Sequence, residues 1–144
     1  MAITQALCTS FKVAVLNAEI DFSSGTSQVF KIALYTSSAT LGATTTAYSA
    51  TNEASGTGYT AGGNTLTISA NPASSGTTAF LDFSDSIWSS ATLTARGALV
   101  YLANGGTNPA VAVLDFGSDK ASSSGDFTVQ FPTADSTNAI IRIS

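Results

Sequence analysis

The side chains able to do chemistry are few, and their types narrow what that chemistry is. The chain has nine Asp and Glu, five Lys and Arg, one cysteine and no histidine in 144 residues. Without His there is no Ser-His-Asp or Cys-His arrangement and no His-ligated metal. Cys8 lacks a base to activate it and reads as a small buried apolar residue. Carboxylate pairs remain, and Asp82 with Asp85 and Asp115 with Asp119 are the closest in sequence. Such pairs serve glycoside hydrolysis when an aromatic-lined cleft accompanies them, or Ca²⁺ when a loop supplies further oxygens. Neither accompaniment is visible, so these acids read as solvated turn residues. Gly56-Thr57-Gly58-Tyr59-Thr60-Ala61-Gly62 has the glycines of a phosphate loop but no Lys, and no helical pattern follows it. The expectation is a protein that is not an enzyme and carries no cofactor.

The elements that would position these residues are mostly strands. Arg96–Gly117 holds two apolar runs, Ala98–Ala103 and Ala110–Phe116, around a turn at Asn104–Pro109. Both runs are apolar at nearly every position, so each face needs a cover: core on one side, a second layer or a neighbouring subunit on the other. Gln28–Tyr35, Thr65–Ala70, Thr78–Phe83, Asp126–Phe131 and Ala139–Ile143 add further strands, with turns at Asn71-Pro72 and Ser74–Gly76. Ile87-Trp88 reads as a short turn anchored by the sole Trp. Leu7, Phe11, Ala14 or Val15, and Ala18 share a helical face, which predicts a helix over residues 4–18 with Thr4 as N-cap. Val13–Leu16 also fits a buried strand, and helix is favoured.

The expected fold is mainly β: an antiparallel β-sandwich or barrel-like fold of about seven strands, with one N-terminal helix and a long Gly/Thr-rich arm. Residues 1–144 form a single domain, with 1–25 as N-terminal helix or arm and 36–63 as an extended loop or arm. Within the latter, Gly56–Gly58 and Gly62-Gly63 read as hinges and Ala43–Ala50 as a short helix or turn. An apolar-Asp-Phe pattern recurs at Ile20–Phe22, Leu81–Phe83 and Leu114–Phe116, read as a strand ending with Phe inward and Asp facing water or capping a turn.

Composition bears on partners. Charged residues make up 10% of the chain, against about 25% in ordinary soluble domains. The net charge is −4, and the basic residues Lys12, Lys31, Arg96, Lys120 and Arg142 are scattered, which argues against nucleic acid. No apolar run is long enough for a membrane span, and the start lacks a signal-peptide pattern, so folding in a cytoplasm is expected. Surfaces poor in Lys and Glu suit burial against other proteins.

Phe30-Lys31-Ile32-Ala33-Leu34-Tyr35-Thr36-Ser37-Ser38-Ala39-Thr40-Leu41, Tyr48-Ser49-Ala50-Thr51-Asn52-Glu53 and Ser55–Gly63 resemble a family of small virion structural proteins of tailed bacteriophages, notably cyanophages. Met1–Lys12, Ile87-Trp88 and Ala98–Phe116 are similar too. The likeness departs at Val13–Asn17, where a more polar helix would be expected. The resemblance implies a many-copy virion component assembled in the host cytoplasm. It is read as a capsid decoration (cement) protein that binds the major capsid protein and self-associates, a trimer being favoured. Ile3, Leu7, Tyr48 and Tyr59, from the N-terminal stretch and the arm, are the candidate partner contacts. Two alternatives stand beside it: a neck or tail component (adaptor, tube or fibre base), and a carbohydrate- or host-surface-binding β-sandwich. The last would expose Tyr48, Tyr59 and Trp88 as a cluster.

Overall fold

The computed structural model describes residues 2–144. Its strands, in chain order, are β1 (Ala6–Leu7), β2 (Phe30–Tyr35), β3 (Asn64–Thr65), β4 (Ile68–Ser75), β5 (Thr78–Phe83), β6 (Ser86–Leu102), β7 (Ala110–Val129) and β8 (Ile141–Ile143); one helix, α1 (Thr9–Leu16), lies between β1 and β2. They form a five-stranded sheet in the order β1-β7-β6-β2-β3 and a three-stranded sheet in the order β4-β5-β8. Every strand pairing within the two sheets is antiparallel. The expected sandwich-like, mainly β fold is therefore what the chain adopts.

The apolar hairpin does sit at the centre. Leu99, Val100, Val111 and Val113 are fully buried, with Ile32 and Leu34 of β2 beside them; each such side chain contributes about 1.5–3 kcal/mol of burial. Register pairs Tyr35 with Gly97 and Ala33 with Leu99, so Tyr35, Ala33, Leu99 and Tyr101 share one face while Leu34, Ile32, Phe30, Val100 and Leu102 share the other. The second face meets an aromatic cluster. Phe22 stacks on Phe30 at 4.6 Å between ring centroids and meets Phe11 of α1 edge-on at 5.9 Å. Phe83 of the smaller sheet packs 6.2 Å from Phe30 and 5.8 Å from Phe131. These phenylalanines join α1 and both sheets into one core.

The hairpin is longer than its apolar runs. Ile87-Trp88 opens β6 instead of forming a separate turn, and Asp126–Val129 closes β7 instead of forming a separate strand. Between them the ladder slips. Ala95 pairs with Lys120 but Gly97 pairs with Asp115, so extra residues of β7 are extruded at Phe116–Asp119. Asp115-Phe116-Gly117 looks like a strand ending because it is a bulge, in which Gly117 takes φ +78° and the strand resumes.

Three further expectations are corrected. The helix begins at Thr9, not Thr4, because Ala6-Leu7 pairs with β7 and the Thr4 N–H goes to the Leu41 carbonyl at 2.9 Å. Cys8 stands at the N-cap with no side-chain capping bond. Asn71-Pro72 is not a turn; β4 runs through it with register shifts, and the chain reverses at Gly76-Thr77. Pro72 is tolerated there because β4 is an edge strand.

Candidate functional site

Thr36–Gly63 contains no regular strand, as an extended loop would, but it is folded down on the sheet and does not project as an arm. It covers the Tyr35–Tyr101 face of the hairpin and is the second layer that the doubly apolar strands require. Ala39 and Ala54 are buried. Single bridges join Tyr35 to Glu53, Ala47 to Pro109 and Thr57 to Thr92. The glycines expected to act as hinges are points of close approach. A Cβ on Gly63, at φ +77°, would lie 1.8 Å from the Ile32 carbonyl oxygen, and one on Gly56 would lie 2.1 Å from that of Thr92. Only a bare backbone in the left-handed region fits so near a strand.

Glu53 is the polar centre of this layer. Its Oε1 accepts from the Tyr59 hydroxyl at 2.6 Å and the Gly62 N–H at 2.7 Å, and its Oε2 accepts from the Tyr48 hydroxyl at 2.7 Å. The Tyr59 oxygen accepts in turn from the Leu34 N–H at 2.9 Å, which ties the node to β2. Tyr101 donates to the Gly62 carbonyl at 2.7 Å and Tyr35 to that of Ser49 at 2.6 Å. Desolvation pushes all four phenols above their ordinary value; for Tyr48 and Tyr59 the hydrogen bond to Glu53 adds to it. These tyrosines stay protonated at neutral pH, as donors. The arrangement binds a loop to a sheet through both oxygens of the carboxylate.

The residues singled out from sequence as partner contacts are largely committed inside the molecule. Tyr48 and Tyr59 are half-buried in the Glu53 node; Tyr48 stacks on Tyr101 at 4.7 Å and Tyr59 on Trp88 at 6.0 Å. Trp88 itself is buried, so the three do not form the exposed platform a glycan would need. Ile3 is buried and lies against Gly97, where an added Cβ would stand 2.8 Å from its Cγ2. Leu7 is half-buried in β1, with its residue paired to Ala112.

The acids do not converge as sequence proximity suggested. Asp115 Oδ1 accepts from the Gly117 N–H at 2.8 Å, while Asp119 pairs with Arg96 at 2.8 Å. Asp82 is buried, against the expectation that it faces water. Its Oδ1 accepts the Phe83 N–H at 2.9 Å, and burial, with smaller contributions from Asp85 and Asp135, raises its pKa. Asp85 holds the Phe131 N–H at 2.8 Å. Among the described residues no three acids or thiols are grouped to hold a metal. Cys8 is fully buried, and burial pushes its thiol up to about 11, so it is held as an unreactive thiol.

What faces outward is apolar or uncharged in two places. Along α1, Val13 and Leu16 are exposed, Leu16 at 88%. Their i, i+3 spacing puts them together on the face opposite Phe11 and Ala14, and the apolar run that also fitted a strand over Val13–Leu16 is what leaves this helix apolar on both faces. The outer side of the β6–β7 ribbon presents Ile87, Ser89, Thr92, Thr94, Ala121 and Thr128, all exposed. Comparison with protein-family profiles, with curated proteins and with solved structures gave no match.

Proposed function

We propose that the chain is a virion structural protein of a tailed bacteriophage, a capsid decoration protein that binds the assembled major capsid protein. The observation that carries this reading is the surface left over once the fold is complete. A loop that could have been a binding arm is consumed as the second layer, and the exterior keeps a charge-poor ribbon face and an apolar helix edge. Val13, Leu16 and Ile87 are large, exposed and apolar, and a flat face of Thr and Ser excludes little when another protein covers it. The sequence resemblance of Phe30–Leu41, Tyr48–Glu53 and Ser55–Gly63 to phage virion proteins supplies the identity of the partner. On this reading the contacts fall on Val13, Leu16 and Ile87 and not on Ile3, Tyr48 and Tyr59, whose side chains the fold uses. A decoration protein that binds the shell and not its loose subunits stabilises the shell by mass action, with many copies adding their terms. Self-association belongs to the same reading, a trimer suiting local three-fold positions.

The test is localisation in purified particles by cryo-electron microscopy. Density for this chain spread over the shell in many copies is the expected result. A single ring at one vertex assigns it instead to the neck or tail, and its absence from particles ends the virion reading.

A further inference from the structure

We infer that the outer edge of β7, from Asp126 to Pro132, is an acceptor for an extended peptide strand with alternating apolar and basic side chains. The inference does not depend on the virion reading. Beyond β6, the only strand beside β7 among the described residues is β1, which reaches no further than Ala112 and Val113. Gln5 then caps the Asp115 N–H through its side chain, and the chain leaves to bridge Ile3 with Leu41. From Ser86↔Val129 to Trp88↔Phe127 the β6 ladder is regular, so Phe127–Val129 is a regular stretch of edge, with Asp126 beside the register shift that follows Trp88. The Phe131 N–H points to Asp85, on the β6 side. By the two-residue period of an extended chain, the main-chain groups of Asp126 and Thr128 then point away from β6, where no strand pairs with them.

That edge borders a groove of about 510 Å³, lined among others by Phe116, Phe127, Phe131, Asp115, Asp126 and Gln130. Phe116 and Phe127 lie 6.3 Å apart. Asp126 and Phe127 are consecutive in the strand and so lie on opposite faces of it. An incoming strand would set alternate side chains against the aromatic face and the carboxylate face in turn, which selects apolar and basic residues. Lys120 is the one basic residue on the lining, against Asp115 and Asp126. Main-chain pairing supplies affinity and the two faces supply selection, as in strand addition to other open sheet edges.

The probe is a blocked hexapeptide alternating Val and Lys, titrated into the intact protein. Binding is read by backbone amide shifts of residues 126–130 and by the fluorescence of Trp88, which meets Phe127 edge-on at 6.2 Å. Thr128→Pro removes an outward N–H while leaving the β6 ladder whole, and is expected to weaken binding at least tenfold relative to Thr128→Ala. Asp126→Asn keeps an oxygen for the Ser90 N–H, which Asp126 Oδ1 accepts at 3.4 Å, and is expected to weaken binding several-fold, with a shallower salt dependence. The same peptide N-methylated at alternate residues is expected to bind at least tenfold more weakly, which keeps the test decisive should Thr128→Pro unfold. No binding at millimolar peptide, equal binding by the N-methylated form, or equal binding by a Val/Glu peptide would overturn the inference.

Discussion

Thr36–Gly63 and Gly117–Gly125 are both built largely of small residues, Gly, Ser and Ala with Thr in the first, yet one is a structural layer and the other an exposed ribbon. The difference lies in a few residues. The first stretch carries Tyr48, Glu53 and Tyr59, which tie it to β2 and to each other, and glycines whose missing side chains let it lie on strand backbones. The second has no large apolar side chain, and its glycines meet open space or, at Gly125, only the Ser123 carbonyl at 3.7 Å. Its only ion pair, Asp119 with Arg96, is solvent-exposed. A small-residue stretch is thus fixed by whether a few anchors give it contacts worth the entropy of ordering, not by its composition.

Alanine at the glycines is the widest separation expected. Gly63→Ala keeps φ +77° and drives a Cβ into the Ile32 carbonyl, which should cost more than about 3 kcal/mol or prevent folding. Gly117→Ala has φ +78° and nothing within 4 Å of the new Cβ, so it should cost only about 1–2 kcal/mol, the strain of the backbone alone. Urea denaturation of the two variants decides it. Equal effects would mean that the loop is not anchored through close backbone approach.

Removing an anchor comes next. Tyr59→Phe deletes the donor to Glu53 Oε1 and the acceptor of the Leu34 N–H, an expected loss of about 1–3 kcal/mol because a buried amide is left unpaired. Asp119→Asn breaks the exposed pair with Arg96 and should change stability by less than about 1 kcal/mol. Hydrogen exchange should show the Leu34 amide losing protection in Tyr59→Phe and not in Asp119→Asn. If both variants are neutral, the Glu53 node is not what holds the loop.

The same contrast explains what could be read from the chain in advance. The central hairpin, β2 and the Thr78–Phe83 strand were legible, because runs such as Leu99–Leu102 and Val111–Leu114 admit little but a doubly covered strand. The need for a second layer was legible as well, but not its source. Tyr48, Glu53 and Tyr59 are five and six residues apart in a stretch without periodicity, so nothing local announces that they meet. The length of β6 and β7 was hidden by their bulges, since Asp115-Phe116-Gly117 has the residues of a turn. Of the contact residues named from sequence, Ile3, Tyr48 and Tyr59 are large apolar residues in polar stretches expected to reach a neighbour. That is also the signature of an anchor, and sequence alone does not separate the two.

The smallest expected effect concerns Asp82, the acid that the Asp-Phe pattern placed in water or on a turn and the fold buries. Asp21 and Asp115, its counterparts, are exposed and accept hydrogen bonds from Ser23 and Gly117. Burial raises the Asp82 pKa in the folded state, whereas hydrogen bonds from Ser23 lower that of Asp21 and those from Asn138 and Thr137 lower that of Asp135. For Asp82 the folded chain takes up a proton at a higher pH than the unfolded chain does. Stability therefore rises as pH falls through its folded pKa, and the gain is complete below about pH 4, where an ordinary Asp protonates. Further down, Asp21 and Asp135 act with the opposite sign: their contribution is lost as pH falls through their lowered values. Stability should thus pass through a maximum on the acid side of neutrality. Asp82→Asn keeps an oxygen for the Phe83 N–H and carries no charge, so it should be more stable than wild type at neutral pH and show no rise on mild acidification. Denaturation midpoints across that range test it, and a variant that is less stable at neutral pH, or that keeps the rise, would remove Asp82 as its source.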